Sequence, residues 1–237
     1  MTPEADAPRP GSATEAIAAR RTAVRFDPDR PVADALLARL IDLAGMVPSS
    51  FHLQPTRFVV VRDAANRRRL RRCAFGDARI TEAPAVLIVL GYLRPHETDL
   101  DAVAVRMVEG GAATIEEAAR LRATAARGLG RSGPLAPEIW AIREATRAST
   151  TLQIAAESLG LASASLETFD AGQVRASFGV PDDHAIWGLI ALGYASETAP
   201  PPGRFGLDHV GFAEHFGQPW TVGDDDSQAL DSGRPAG

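Results

Sequence analysis

The amino-acid sequence predicts a domain in which helices and strands alternate, an α/β pattern with several long helices and about four strands. Two segments carry this prediction. Residues Ala85–Tyr92 (AVLIVLGY) are almost wholly apolar, which is typical of a strand that is buried on both faces. Residues Pro137–Leu159 have the periodicity of a long amphipathic helix, and Gly160 follows at a position where glycine often ends a helix.

The first part of the chain, up to Arg62, is predicted to contain two further helices and one strand. Ala13–Arg21 is predicted as a short helix with Ser12 as its N-cap. In Val32–Val47 the leucines recur at helical spacing, and Pro48 stops the helix. Arg57–Arg62 (RFVVVR) is rich in valine and is predicted as a strand.

The other predicted elements follow from composition and spacing. In order, they are a basic helix Ala64–Cys73, a helix Ala112–Arg127, a strand near Leu161–Leu166, a helix Ala171–Phe178 and a strand Ile186–Tyr194. After the proline-rich stretch Ala199–Gly203, the chain is predicted to be extended or weakly helical up to Trp220. Residues 13–222 are expected to form one domain between two disordered tails, 1–12 and 223–237.

Composition excludes several chemistries. All 25 basic Lys and Arg positions are arginine, which excludes a lysine Schiff base and a Walker A lysine. Cys73 is the single cysteine, so disulfides and cysteine-based metal sites within one chain are excluded, and the histidine spacing predicts no metal site. With a net charge of −5 and no long apolar run or signal peptide, we expect a cytoplasmic protein that binds neither nucleic acid nor membrane.

One apparent nucleotide motif does not fit its context. Gly128–Gly133 (GLGRSG) matches the glycine pattern of dinucleotide-binding proteins. That motif requires a strand before it and a helix after it, whereas here a helical segment precedes it and Pro134 follows. A flexible connector between two helices is the better interpretation.

Three segments stand out together in the sequence: Arg20–Phe26 (RRTAVRF), Pro48–Phe58 (PSSFHLQPTRF) and Gly203–Leu207 (GRFGL). Arginine binds phosphate with two parallel hydrogen bonds, and a neighbouring hydroxyl adds another. An isolated Arg-Arg pair is more often an exposed helix end. The order and spacing of the three segments, together with Gly160–Ser163 and Gly193–Tyr194, resemble the FMN-dependent nitroreductase family.

The resemblance covers nearly the whole chain, from about Ala13 to Trp220. It implies an α+β fold with a mixed, mainly antiparallel sheet flanked by helices, in an intertwined homodimer with two FMN sites at the interface. The residues that it implies for FMN binding are Arg20, Arg21, Thr22, Pro48, Ser49, Ser50, His52, Gln54, Arg79, Leu166, Glu167, Thr168 and Arg204. Residues 48–54 would reach the flavin bound mainly by the other subunit, and the tail after Arg204 would wrap onto the partner.

Each of these assignments has a plainer structural alternative. The Pro-Ser-Ser segment is also an ordinary helix-to-strand turn, Gln54 is equally suited to capping a strand, and Arg79 suits an exposed helix edge. Phe51, Phe75 and Trp140 are candidates for the substrate pocket, although such residues more often pack in a core. Residues 99–140 are expected to shape this pocket.

The chain departs from the family pattern at four positions. His52 and Thr56 replace the usual Asn and Trp, Val24 stands where a basic residue is common, and Ser165 replaces an aromatic residue. These changes affect the shape of the pocket more than phosphate binding.

The function implied by the resemblance is ping-pong hydride transfer from NAD(P)H through FMN to a nitroaromatic compound, quinone or similar acceptor. The flavin would carry the chemistry, so no side chain is assigned as an obligatory catalytic acid or base. Three alternatives remain. They are an FMN-dependent dehydrogenase or oxidase (desaturase) of a small metabolite, a non-catalytic flavin-binding protein, and an α/β protein without flavin.

Overall fold

A computed structural model describes residues 11–130 and 137–221, for residues 129–130 the backbone only. The helices are α1 (Ala13–Ala19), α2 (Asp34–Gly45), α3 (Ala64–Cys73), α4 (Arg79–Glu82), α5 (Pro95–Thr98), α6 (Leu100–Glu109), α7 (Ile115–Gly130), α8 (Pro137–Ser158), α9 (Ala171–Phe178) and α10 (Leu207–Val210), with a 3-10 turn at Ser50–His52. The strands are β1 (Ala23–Phe26), β2 (Thr56–Val61), β3 (Ala85–Tyr92), β4 (Ala162–Leu166), β5 (His184–Gly193) and β6 (Ala195–Thr198). Residues 1–10, 131–136 and 222–237, which include most of both expected tails and the end of the glycine motif, lie outside the described residues.

The main sheet has four strands in the order β2-β3-β5-β4, and every adjacent pair is antiparallel. Antiparallel pairing with helices on both faces is the α+β architecture that the resemblance implies, and it corrects the α/β pattern inferred from alternation alone. Alternation along the chain does not distinguish the two, because the connections between strands decide their direction.

Strand β3 lies in the middle of this sheet and is buried on both faces, as predicted. Val86, Ile88 and Leu90 pack in one cluster with residues of α3, α4 and α9. The alternate residues Leu87 and Val89 pack in a second cluster with α2 and α8. Helices therefore cover both faces of the sheet, and the apolar run of β3 follows from that arrangement.

The second sheet consists of β1 and β6 alone, paired antiparallel. The sequence analysis did not predict either strand. Each has only four residues, and exposed Val24 and Arg25 lie between buried Ala23 and Phe26, so neither strand has a clear alternating pattern. The pair forms because segments about 170 residues apart in the chain meet in the fold.

Several helix boundaries differ from the predictions by a few residues. Helix α1 begins with a capping box, in which Ser12 Oγ accepts from Glu15 N–H and the Glu15 carboxylate accepts from Ser12 N–H. It ends at Ala19 because Arg20 turns out of the helix. Helix α7 starts at Ile115 rather than Ala112, where Thr114 and Glu117 form a second reciprocal cap.

Residues 99–140 contain α6 and α7, and with α5 these helices surround a third, smaller apolar cluster. It consists of Leu53, Leu100, Val103 and Ala125. Leu53 belongs to the segment after α2, so α6 and α7 cover that segment.

The chain divides into two compact units, Met1–Thr198 and Ala199–Gly237. In the described part of the second unit, α10 is followed by an antiparallel bridge between Phe212 and Pro219. The Phe205 and His209 rings stack with centroids 4.1 Å apart. This short element agrees with the weakly helical tail that was predicted.

Candidate functional site

The residues that follow α1 form what we call the arginine cluster: Arg20, Arg21 and Glu157. Arg21 Nη1 donates to the backbone carbonyls of Ala18 (2.6 Å) and Arg20 (3.0 Å), so its guanidinium is held against the end of α1. Burial raises the pKa of Glu157, on α8, while the charges of Arg20 and Arg21 and the Arg21 backbone N–H oppose that rise. With two guanidinium groups and one carboxylate, the arginine cluster has a net positive charge when Glu157 is ionised.

Strand β4 runs from the arginine cluster to the predicted ring-facing segment. Thr22 forms a parallel bridge with Ser163 in β4. Three residues further on, about 10 Å along the strand, β4 ends at buried Leu166. Glu167 and Thr168 follow and are exposed. The predicted residues Arg20–Thr22 and Leu166–Thr168 therefore lie at the two ends of one short strand.

Phe75 lies in the loop that follows α3. Its ring is 71% exposed and its backbone is left-handed (φ 51°). Asp170 N–H donates to the carbonyl of Cys73 (2.8 Å), which ties the segment after β4 to this loop. Phe75 belongs to none of the three apolar clusters of the described residues, and its place in a substrate pocket stays a prediction.

Arg79 is paired within the same region. Its Nε and Nη2 donate to Asp77 Oδ1 (3.0 Å) and Oδ2 (2.6 Å). These hydrogen bonds lower the pKa of Asp77 and raise the pKa of Arg79. Helix α4, which begins at Arg79, packs against β1. Arg79 is thus held in place by a carboxylate that sequence reasoning did not identify.

The segment Pro48–Gln54, here called the serine loop, has an unusual backbone. Phe51, His52 and Gln54 all have positive φ angles, of 53°, 59° and 45°. Such angles are uncommon in residues other than glycine, and they cluster where function requires a defined geometry. The loop therefore has a constrained backbone, and its predicted contact with a cofactor stays a prediction.

Both serine hydroxyls of the loop have protein partners. Ser49 Oγ accepts from the Gln54 backbone N–H (3.0 Å). Ser50 Oγ donates to Glu144 Oε1 (2.8 Å), on α8. The side chains of His52 and Gln54 are exposed. The serines hold the loop together, and His52 and Gln54 are the side chains that it presents.

The arginine cluster and the serine loop lie far apart within one chain. Glu157 adjoins the first, and Glu144 adjoins the second. Thirteen residues of α8 separate these two glutamates, which corresponds to about 20 Å along the helix axis. The predicted FMN residues therefore fall into two separated groups in one chain, here called the predicted half-sites.

The remaining predicted residues divide in the same way. Phe51 and Trp140 both pack against the apolar cluster around Leu53, on the side of the serine loop, whereas Phe75 lies near β4. Arg204 belongs to the second unit, where its Nη1 donates to the carbonyl of Gly203 (3.1 Å).

Sequence reasoning missed the acidic residues of these half-sites, Asp77, Glu144 and Glu157. Glu144 had a detectable signal. It occupies a helical stripe with Ala141, Ala145 and Ala148, all of them buried, so a charged residue there required a partner.

Comparison with known proteins identifies the family. The sequence model of the nitroreductase family matches residues 17–194, which is most of the chain. The chain belongs to the nitroreductase family. A relative from Thermus thermophilus named NADH dehydrogenase is 38% identical over 191 residues, covering 81% of this chain and 90% of the relative.

Solved structures of nitroreductase family proteins share the fold. A protein from Exiguobacterium sibiricum, solved in complex with FMN, superposes with a TM-score of 0.80 at 20% identity, covering 87% of this chain and 99% of that one. Nitroreductase A from Vibrio parahaemolyticus superposes with a TM-score of 0.64 at 19% identity, covering 94% and 83%. These comparisons confirm the family and the fold that the resemblance implied.

Two further properties concern the described residues only. Within 11–130 and 137–221, no helix is long and apolar enough to cross a membrane. In the same ranges, no group of His, Cys, Asp and Glu side chains is arranged to hold a metal ion.

Proposed function

We propose that this nitroreductase family protein is an FMN-dependent oxidoreductase that transfers hydride equivalents from NAD(P)H to a nitroaromatic compound, quinone or similar acceptor. The observation that carries the proposal is the placement of Arg20–Thr22 and Leu166–Thr168 at opposite ends of β4. A phosphate at one end and a ring at the other match a ligand in which a five-carbon chain separates the two.

The residues at these positions fit FMN by their chemistry. The arginine cluster keeps a net positive charge and offers guanidinium donors, which suits a phosphate. At the other end of β4, the exposed residues Glu167 and Thr168 follow buried Leu166, and we propose that their main-chain groups face the ring edge. When bound, FMN would supply the two-electron carrier between the nucleotide and the acceptor.

The chain's own residues would bind, orient and shield that cofactor. Arg20 and Arg21 would hold the phosphate, and Arg79 would lie near the ring. Because the serine loop is about 20 Å from the arginine cluster along α8, we propose that His52 and Gln54 act on the flavin of a second copy in a homodimer. Phe75 would border the acceptor pocket beside β4.

The first test is an absorption spectrum of the purified protein before and after incubation with FMN and desalting. We expect flavin absorption to stay with the protein, at the mass of a dimer of 25.1 kDa chains in light scattering. NAD(P)H should bleach that absorption, and menadione or a nitroarene should restore it. A protein that remains colourless after reconstitution would contradict the proposal.

The same experiment separates the alternative functions. Bound flavin that a metabolite reduces but NAD(P)H does not would favour the dehydrogenase or oxidase. Bound flavin that resists both would favour a non-catalytic flavin-binding protein.

Glu157 provides a test of the phosphate site. Glu157→Gln removes the carboxylate that competes with phosphate for Arg20 and Arg21, so we expect FMN to bind about fivefold more tightly at neutral pH, equivalent to ~1 kcal/mol. FMN titrations across pH would measure this. The gain should shrink as the pH falls through the raised pKa of Glu157, because the wild-type side chain is then already neutral.

Glu157 should also make the stability of the folded chain depend on pH. Because burial raises the pKa of Glu157 in the folded chain, its ionisation costs stability as the pH rises through that value. The variant should therefore melt at a higher temperature than wild type at neutral pH, and at the same temperature in acid. Glu116→Gln, an exposed residue on α7, is the matched control and should change neither property. Weaker FMN binding by Glu157→Gln would mean that Glu157 orients the arginines rather than opposing the phosphate.

A further inference from the structure

Glu144 is a buried carboxylate with no part in the phosphate site. It is only 3% exposed, and it lies on the inward face of α8. Buried carboxylates are tolerated where hydrogen-bond donors surround them. Glu144 has three such donors: Ser50 Oγ to Oε1 (2.8 Å), Ser50 N–H to Oε2 (3.4 Å) and Arg147 Nη1 to Oε1 (2.5 Å).

Two of these three donors come from one residue of the serine loop, 94 positions away in the chain. Ser50 gives both its hydroxyl proton and its backbone N–H to Glu144. Its hydroxyl therefore cannot donate to a cofactor and is left only as an acceptor. The hydroxyl proton of Ser50 is thus used in a hydrogen bond to α8, and its contact with the flavin stays a prediction.

The hydrogen bonds between Ser50 and Glu144 lie next to the residues with left-handed backbone. Phe51 and His52 directly follow Ser50, and both have positive φ angles, as does Gln54. Left-handed backbone in such residues persists only where surrounding structure holds it. In the loop, His52 N–H donates to the carbonyl of Ser49 (3.0 Å) and Gln54 N–H donates to Ser49 Oγ (3.0 Å). Glu144 connects this local network to the rigid helix.

A cavity behind the loop provides room for it to rearrange. It has a volume of about 180 Å³, and Ser49, Gln54, Thr56, Arg57 and Glu144 are among the residues that line it. The pocket is partly open to solvent, so hydrogen bonds rather than close packing hold this part of the loop. Loss of the bonds to Glu144 should therefore release the loop without unfolding the core.

We propose that Glu144 is a positioning residue for the flavin site. By holding Ser50, it sets the backbone from Phe51 to Gln54 so that His52 and Gln54 point outward to meet the flavin of a second copy. This inference rests on the proposed function. Its consequence is that Glu144 affects cofactor binding through Ser50 and does not touch the cofactor.

The test is a double-mutant cycle of Glu144→Gln, Ser50→Ala and the double variant in the full-length protein. We expect each single variant to raise the FMN dissociation constant roughly tenfold. Glu144→Gln loses the negative charge and one of the two acceptor oxygens, and Ser50→Ala loses the hydroxyl donor, so both weaken the same interaction. The double variant should therefore bind FMN no more weakly than the weaker single one. Ser149→Ala is the matched control. It removes a fully buried hydroxyl from the same helix, one without a hydrogen-bond partner among the described residues, and should leave FMN binding unchanged.

Hydrogen exchange of the apo protein supplies a readout that does not depend on flavin. Peptides covering residues 49–54 should exchange faster in Glu144→Gln and Ser50→Ala, whereas peptides from β3 should be unchanged. Should Glu144→Gln fold poorly, Ser50→Ala tests the same interaction from its other end.

The outcomes separate this inference from the function that it rests on. If wild type binds FMN and the variants bind it equally well, or if the two effects simply add, the inference is wrong and the proposed function stands. Unchanged exchange of residues 49–54 would also overturn it. A wild-type protein that binds no FMN would overturn both.

Discussion

Replacing Arg20 with alanine is expected to raise the dissociation constant for FMN by about 10- to 100-fold. A hydrogen bond to a charged group contributes ~1.5–3 kcal/mol, and each ~1.4 kcal/mol corresponds to a factor of ten. Arg20 is preferred to Arg21 for this test because Arg21 also caps the last carbonyls of α1, so its loss would weaken the helix as well. Quenching of FMN fluorescence on titration with apo protein measures the effect.

Riboflavin provides the decisive control for Arg20→Ala. It has the same ring and five-carbon chain as FMN and lacks the phosphate, so its affinity should not change in the variant. Arg39→Ala removes an exposed arginine from α2 and should leave the affinity for FMN as it is in wild type. An equal loss of riboflavin and FMN binding would show that Arg20 acts on the fold or the ring and not on the phosphate.

Replacing Gly91 with alanine is expected to destabilise the folded chain by about 2–3 kcal/mol, since overpacking a tight core costs this much. A Cβ at Gly91 would lie 2.6 Å from the backbone oxygen of Ala141 and 2.8 Å from its carbonyl carbon. The backbone at Gly91 cannot shift easily to relieve this contact, because Gly91 is paired with Thr56 of β2 and with Ala185 of β5. The melting temperature should fall by roughly 5–10 °C.

Gly45→Ala is the matched control for this substitution. Gly45 is the last residue of α2, and an added Cβ there would meet nothing within 4 Å. Alanine is also the better helix former, so the variant should be as stable as wild type or gain up to ~1 kcal/mol. If Gly91→Ala melts like Gly45→Ala, then α8 can move away from β3, and the close approach at Ala141 is not what fixes the helix.

The Gly91→Ala substitution should also affect the proposed FMN site. Ala141 is only three residues before Glu144 on α8, one helical turn away on the same face. A shift of α8 at Ala141 would therefore displace the carboxylate that holds Ser50. We expect Gly91→Ala to weaken FMN binding as well as stability, whereas Gly45→Ala should weaken neither.

Residues with a strong local signal were predicted correctly. Strand β3 was identified because eight consecutive residues are almost all apolar, and the structure buries it between two layers of helices. Helix α8 was predicted from its periodicity to within one residue of its C-terminal end. In both cases, the apolar pattern of the element itself shows which of its residues are buried.

Elements that depend on distant partners were not predicted. Strands β1 and β6 are too short to show a pattern, and each exists because the other pairs with it. The role of Ser50 depends on Glu144, and the pairing of Arg79 depends on Asp77 in a loop of positive-φ residues. Composition and spacing do not show which side chains form hydrogen bonds with each other in the folded chain.

The sequence by itself determined which arginine, serine and glutamine residues this nitroreductase family protein offers to a cofactor, their order along the chain, and most of the elements that carry them. Tertiary structure decided how those residues are divided. Because α8 spans about 20 Å between Glu144 and Glu157, it keeps the serine loop away from the arginine cluster of the same chain. Order along a chain does not measure distance in space, and only the packing of α8 against the sheet sets that separation.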